Sequence, residues 1–182
     1  MRLNLHRHGD SQGAAAKAVE VELAWPAPGK LALTYVVTGD IAGLRLPAPA
    51  PAARTDELWR HTCLEAFVGE GSSYYEFNLA PSTEWAAYGF SGYRDGMAPV
   101  DEALDPSVSV ETNVERFILR ATLALDRLPD LRPDADWRLA LTAVIEQRDG
   151  LKSYWALTHP AGKPDFHHAD GFSQVLTPAE RA

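Results

Sequence analysis

The sequence predicts an all-β fold, an antiparallel two-sheet β-sandwich of jelly-roll or immunoglobulin-like type with little helix. Three observations lead to this prediction. Apolar residues recur at every second position in four separate runs, and Gly, Pro and Asp residues bound these runs. No long segment shows the roughly 3.6-residue periodicity of an amphipathic helix. Alternation of this kind is typical of strands that pack one face on a core.

The four alternating runs are the expected strands, in chain order. They consist of Val19, Val21, Leu23 and Trp25; of Leu31, Leu33, Tyr35 and Val37; of Phe117, Leu119, Ala121, Leu123 and Leu125; and of Leu139, Leu141, Ala143 and Ile145. A turn at residues 26–30 separates the first two runs. The Pro-rich segments 47–54 and 126–136 are expected to be loops, because proline cannot donate to a strand ladder.

Asp149-Gly150 predicts a β-hairpin with a two-residue type I′ turn, since this dipeptide tolerates the positive φ that both central positions need. Such a turn pairs Val144 with Trp155 and places the indole on the mixed, partly polar face of its strand. A large aromatic side chain on that face suits a platform on which a sugar ring stacks. Packing of Trp155 beneath a loop is the alternative.

A second hairpin is expected where residues 69–73 join two strands, one with Glu65 and the other with Glu76. Paired carboxylates on one face can serve as the acid and base of a glycosidase. Pairing of Val68 with Tyr74 would instead point the two acids to opposite faces, each held by a basic or polar partner. The same-face arrangement needs a register changed by one residue. In either case Glu65 is expected to be buried.

The segment 159–172 holds the densest group of polar side chains, with three histidines and two aspartates in fourteen residues. These residue types can ligate a transition metal, but their spacing matches no zinc pattern, and no metal site is assigned. The segment follows the strand that carries Trp155. We therefore expect Asp165, His167 or His168 to line the rim of a ligand pocket.

The composition indicates one ordered domain over residues 1–182, with 46% hydrophobic and 23% charged residues. The net charge of −8 argues against nucleic acid and anionic membrane as partners, because both need a basic face. Cys63 is the only cysteine, so no intramolecular disulfide can form. The first ten residues lack the apolar core of a signal peptide, and a cytoplasmic location is expected.

Motifs of common enzyme classes are absent. The sequence contains no nucleophile elbow, P-loop or dinucleotide-binding fingerprint. Cys63 lies between apolar neighbours, which favours an inert buried thiol over a nucleophile. No catalytic residue is therefore assigned.

Five blocks of the sequence, at residues 58–67, 74–82, 85–88, 153–157 and 164–167, together span most of the chain from Trp59 to Phe172. In these blocks the chain resembles the DOMON-like proteins of bacteria, which are similar in turn to family 9 carbohydrate-binding modules. The resemblance implies a β-sandwich with a ligand pocket on a concave sheet or at its rim.

The resemblance also implies two ligand classes. Relatives bind sugars through paired aromatic residues, for which Trp59, Trp85 and Trp155 are the positions here. Other relatives bind haem through methionine and histidine, for which Met97 and the histidines are available. The expected function is non-catalytic binding of a small, carbohydrate-like ligand without a cofactor. A haem-binding redox domain and a glycan-active enzyme are the alternatives, and no protein partner is predicted.

Overall fold

The computed structural model describes residues 1–100 and 104–181 and is all-β, as the sequence predicts. Its strands are β1 (Arg2–Arg7), β2 (Ala16–Ala27), β3 (Lys30–Gly39), β4 (Cys63–Glu70), β5 (Ser73–Leu79), β6 (Trp85–Phe90), β7 (Ala98–Pro99), β8 (Ser107–Thr112), β9 (Arg116–Ala124), β10 (Trp137–Glu146), β11 (Lys152–Ala156) and β12 (Gln174–Leu176). The helical turns within the described ranges are all of the 3-10 type. None of them is long and apolar enough to cross a membrane.

The strands form one antiparallel path in the order β7-β6-β5-β4-β10-β11-β1-β2-β3-β9-β8, with β12 paired to β10. Strand β1 pairs with β11 on one side and with β2 on the other. The site half consists of β4, β5, β6, β7, β10, β11 and β12. The opposite half consists of β2, β3, β8 and β9. The finer prediction of two separate sheets is not confirmed, because β1 makes the path continuous.

One large hydrophobic core receives side chains from both halves. The four predicted alternating runs supply much of it, and their apolar residues are almost fully buried, except for Trp25, which is partly buried at the edge of this core. The hydroxyl group of Tyr35, on β3, donates a hydrogen bond to the backbone carbonyl of Glu65, on β4, at 2.6 Å. This contact joins the two halves across the core. Each fully buried large apolar side chain contributes about 1.5–3 kcal/mol of transfer free energy.

The site half is also covered on its other face. A second cluster there consists of Phe67, Tyr74, Ala86, Tyr88, Phe90, Ala140 and Phe172. Successive side chains of a strand point to opposite faces, so β4 turns Phe67 to this cluster and Val68 into the large core. Strands β4, β5 and β10 are consequently buried along nearly their whole length.

The hairpin at Asp149-Gly150 exists, but its loop has three residues. The backbone N–H of Gln147 donates to the carbonyl of Leu151 at 2.8 Å. Gly150 has a φ of 86°, whereas Asp149 does not adopt positive φ. The carboxylate of Asp149 instead accepts the N–H of Leu151 at 3.0 Å. The predicted two-residue type I′ turn, which needs positive φ at both positions, is therefore wrong.

The longer loop shifts the strand register by one residue. Trp155 pairs with Ala143, and Val144 pairs with Tyr154. A one-residue shift moves every side chain of the strand to the other face. The indole of Trp155 consequently points into the large core, where it is 4% exposed, and its N–H donates to the hydroxyl of Ser153 at 2.9 Å.

The second predicted hairpin also exists with a register one residue from the expected one. Val68 pairs with Tyr75 rather than with Tyr74. Glu65 and Glu76 therefore lie on the same face of the site half, and the expectation that they point to opposite faces is wrong. The prediction that Glu65 is buried is confirmed, because this residue is only 2% exposed.

Candidate functional site

A cavity of about 820 Å³ lies on the covered face of the site half. Strands β4, β5, β6, β10 and β11 supply its floor, and residues 56–60, 94–99 and 164–167 supply its walls. The lining residues are Asp56, Glu57, Trp59, Arg60, Glu65, Phe67, Glu76, Tyr88, Phe90, Arg94, Met97, Pro99, Val144, Lys152, Tyr154, Pro164, Phe166 and His167. The cavity thus combines an aromatic lining with a few convergent charged groups, as small-molecule sites commonly do.

The floor of the cavity carries two buried acids. Glu65 lies opposite Asn78, and Glu76 is two residues from Asn78 on the same strand, so the acids are diagonal neighbours. The hydroxyl of Thr142 donates to Oε2 of Glu65 at 2.8 Å. The side-chain amide of Asn78 donates to Oε1 of Glu76 at 2.7 Å. Glu76 is 6% exposed.

Burial changes the protonation of these acids. Burial, together with the negative charge of Glu76, raises the pKa of Glu65 to about 8, while the Thr142 hydrogen bond opposes the change. Burial also raises the pKa of Glu76, against the hydrogen bond from Asn78. Two like charges held on neighbouring strands in a buried position do not readily ionise together. Near neutral pH, Glu65 therefore carries a proton.

The ring of His167 closes one side of the cavity. It packs edge-on against Phe67 and Phe90, with ring centroids 5.3 and 5.2 Å away. Its Nδ1 lies 2.8 Å from the hydroxyl oxygen of Tyr74, which accepts the backbone N–H of Arg94 at 3.2 Å. The hydroxyl proton is thus available to His167, and Nδ1 accepts it.

The proton of His167 then lies on Nε2, which faces Oε2 of Glu76 at 3.8 Å. Burial lowers the pKa of His167 to about 4, and the positive charge of Arg94 acts in the same direction. The imidazole is therefore neutral near neutral pH. It shields the floor acids without neutralising their charge.

The cations of the cavity have partners of their own. Arg94 forms an ion pair with Asp165 at 2.8 Å, and Arg60 forms one with Glu57 at 2.7 Å. The ammonium group of Lys152 donates to the backbone carbonyl of Arg60 at 2.6 Å. None of these contacts involves the floor acids.

Four of the residues predicted from the sequence come together at the cavity, namely Trp59, Glu65, Glu76 and His167. Asp165 is not among the lining residues. Its carboxylate accepts a hydrogen bond from Arg94, which does line the cavity, and orients that side chain. Trp59 is 47% exposed and is the one tryptophan of the chain's five that lines the cavity.

The other predicted residues lie elsewhere. The expectation that Trp155 forms the pocket floor is wrong, because the register turns it into the core. Trp85 is 2% exposed and packs in the same core, so it provides no aromatic wall. His168 is half-exposed and uses Nδ1 to accept the backbone N–H of Asp170, which caps a short 3-10 turn.

Sequence reasoning missed most of the aromatic lining, including Tyr88, Phe90, Tyr154 and Phe166. Strand β6 is buried on both faces, and its sequence, Trp-Ala-Ala-Tyr-Gly-Phe, has no polar side to mark which residues face the cavity. The two-residue turn expected from the sequence, which puts Trp155 on the mixed face, puts its neighbour Tyr154 on the core face. The correct hairpin register would have identified it.

Haem and metal ligation do not fit the residues at this cavity. Met97 lines it, and His167 is the one histidine that does. However, Nδ1 of His167 is bonded to Tyr74, Nε2 faces Glu76, and aromatic rings enclose the imidazole. Neither nitrogen is thus presented to the open cavity. Within residues 1–100 and 104–181, no three His, Cys, Asp or Glu side chains group as metal ligands do.

Known structures share this fold. A candidate carbohydrate-binding protein from Bacteroides uniformis matches with a TM-score of 0.67 at 14% identity, over 94% of this chain and 83% of the other. A family 9 carbohydrate-binding module from Caldicellulosiruptor kristjanssonii matches in complex with cellotriose (TM-score 0.53, 8% identity) and with glucose (0.52, 10%). Each of these covers 88% of this chain, and 75% and 76% of the module. No protein-family model matches the sequence, and neither does any curated protein.

Proposed function

We propose that the cavity binds a small carbohydrate and that the protein is a non-catalytic binding module. The observation that carries this proposal is the pairing of one exposed indole, Trp59, with two buried acids, Glu65 and Glu76, in a single cavity. The shared fold with modules that hold cellotriose and glucose supports it.

The chemistry of the lining suits a sugar. Sugar rings present apolar C–H faces that stack on indole, and hydroxyl groups that both donate and accept hydrogen bonds. Trp59 offers the stacking surface at the mouth of the cavity. At the floor, protonated Glu65 can donate a hydrogen bond, while the free oxygen of Glu76 accepts one. Aromatic neighbours exclude water and strengthen these bonds.

The sequence resemblance to DOMON-like proteins agrees with this proposal through their similarity to family 9 modules. Membership of that group stays a prediction, as does the cytoplasmic location.

A glycan-active enzyme is a second candidate, and one observation favours it. Glu65 and Glu76 share a face, and one of them is protonated near neutral pH, as the acid of a glycosidase must be. Both acids lie at the floor and are at most 6% exposed, which suits recognition of a ligand end better than attack on an internal bond. Release of nitrophenol from aryl glycosides, lost in Glu65→Gln, would establish this candidate.

Tryptophan fluorescence tests the binding proposal directly. Addition of glucose or cellotriose should give a saturable change in emission, and Trp59→Ala should abolish it. The same substitution should weaken the affinity measured by calorimetry by about two- to tenfold, because one stacked ring contributes about 0.5–1.5 kcal/mol. Val175→Ala removes an exposed apolar side chain outside the cavity and should change neither quantity.

Two results would contradict the proposal. One is the absence of saturable binding of either sugar by calorimetry. The other is an affinity that Trp59→Ala leaves unchanged while the protein stays folded.

A further inference from the structure

We propose that the sugar bound in this cavity carries an ammonium group, as in an amino sugar, and that its nitrogen lies between Glu65 and Glu76. This inference rests on the proposed function, since it names the class of sugar that the same cavity takes. The contacts of the two floor acids and the partners of the cavity's cations carry it.

The floor acids have no cation of their own. The ion pairs of Arg60, Arg94 and Arg132 go to the carboxylates of Glu57, Asp165 and Glu70. The imidazole of His167 lies beside the pair, with Nε2 3.8 Å from Glu76, and the charge of Arg94 acts on Glu76 without forming an ion pair with it. The imidazole is neutral because it is buried against aromatic rings. The two acids thus share a buried floor on which Arg60, Arg94 and Lys152 form no ion pair with them.

Each acid also has one oxygen left for a ligand. Thr142 donates to Oε2 of Glu65, and Asn78 donates to Oε1 of Glu76. Among the described residues, Oε1 of Glu65 and Oε2 of Glu76 take no hydrogen bond, although both residues line the cavity and are more than nine-tenths buried. An ammonium group has three donors and can reach both oxygens at once, whereas a hydroxyl group has one.

The groups that act on Glu65 would not compensate its charge if it ionised in the free protein. Burial raises the pKa of Tyr35 and of Cys63 well above their usual values, so both stay neutral. Arg94 lowers the pKa of Glu76 only as a secondary influence, and its own ion pair is with Asp165.

A buried carboxylate without a partner is costly, so the free protein keeps a proton on Glu65. A ligand ammonium would supply the missing positive charge. Binding should then displace that proton and leave both acids ionised on either side of the nitrogen. Aromatic side chains in the lining lower the local dielectric constant, which strengthens the ion pairs.

Calorimetry with D-glucosamine and D-glucose tests the inference. At about pH 6, where the amine and Glu65 are both protonated, glucosamine should bind about tenfold more tightly than glucose. Titrations in two buffers of different ionisation enthalpy should show release of up to about one proton with glucosamine and none with glucose. N-acetylglucosamine, which has no charge, should bind like glucose.

Conservative substitutions locate the effect. Glu65→Gln keeps the shape of the neutral acid and should remove both the preference for glucosamine and the proton release. Glu76→Gln should also remove the preference, and serves if the first variant does not fold. Glu111→Gln, a matched change at an exposed acid paired with Arg120 on the opposite half, should keep both.

The outcomes separate this inference from the proposed function. Equal affinities for glucose and glucosamine, without proton release, would overturn the ammonium site and leave the carbohydrate site standing. A glucosamine preference that survives in both glutamine variants would also overturn it. Failure of all three sugars to bind would overturn the proposed function itself.

Discussion

Glu65 and Glu76 project from neighbouring strands onto the same face of the site half, and each raises the cost of ionising the other. The strands hold them as diagonal neighbours, beneath a neutral histidine and aromatic walls. This relationship makes the cavity floor sensitive to pH and to the charge of a ligand.

The stability of the protein should depend on pH through Glu65. Its pKa in the folded protein is about 8, against an ordinary value of 4.5, so the folded state binds more protons between these values. The contribution of Glu65 is fully present below about pH 4.5 and is lost as the pH rises to about 8. Glu65→Gln lacks this dependence. The free energy of unfolding of Glu65→Gln in urea should therefore increase relative to that of the wild type as the pH rises from about 5 to 8.

Glu111→Gln provides the control for this measurement, because Glu111 is exposed. Its unfolding curves should follow those of the wild type at every pH. A constant difference between Glu65→Gln and the wild type across this range would show that Glu65 is ionised in the folded protein.

The hydroxyl group of Tyr74 should contribute to stability through His167. In Tyr74→Phe, Nδ1 of His167 loses its donor, and the backbone N–H of Arg94 loses its acceptor. We expect a loss of about 1–3 kcal/mol in the free energy of unfolding. Tyr154→Phe is the control, since the described residues give its hydroxyl no hydrogen bond, and it should change stability by less than about 0.5 kcal/mol. Equal losses would contradict the arrangement.

Trp155 and Trp59 should respond in opposite ways to truncation. Trp155→Ala removes a buried core side chain and should cost about 3–5 kcal/mol by chemical denaturation. Trp59→Ala removes a side chain that is 47% exposed and should cost less than about 1 kcal/mol, while it weakens sugar binding. A stable Trp155→Ala protein would indicate that the indole lies outside the core.

We expect Arg181 to stabilise the packing of the C-terminal segment against the site half. It is 5% exposed and donates to three backbone carbonyls, including those of Pro133 at 3.0 Å and Ala135 at 2.6 Å. Its guanidinium group lies 3.7 Å from the ring centroid of Trp137. Arg181→Met should cost about 2–3 kcal/mol, whereas Arg116→Met, at an exposed position on β9, should be nearly neutral. Similar urea midpoints for the two variants would contradict this role.

Strands β2, β3 and β9 could be predicted from the sequence, because packing on one face imposes a period of two. Strands β1, β6, β7, β8 and β12 were not predicted. Strand β6 is buried on both faces and β8 is mostly exposed, so neither has a clear division between an apolar and a polar face.

Much of the candidate site could not be predicted, because it depends on two strand registers. At Asp149-Gly150, only the glycine adopts positive φ, and a three-residue loop uses the same dipeptide as a two-residue one. The three-residue loop places Trp155 in the core and Tyr154 at the cavity. In the other hairpin, a register difference of one residue likewise places Glu76 on the same face as Glu65. Composition and local pattern do not distinguish these registers.

A ¹H–¹⁵N correlation spectrum of the protein, recorded during titration with glucose, tests the carbohydrate site most directly. The account predicts saturable shifts concentrated in β4, β5, β10 and β11 and in the wall segments 56–60, 94–99 and 164–167, with the indole N–H signal of Trp59 among them. Strands β2, β3, β8 and β9 should remain unshifted. Shifts concentrated in the opposite half, or no saturable shifts at high glucose concentration, would contradict it.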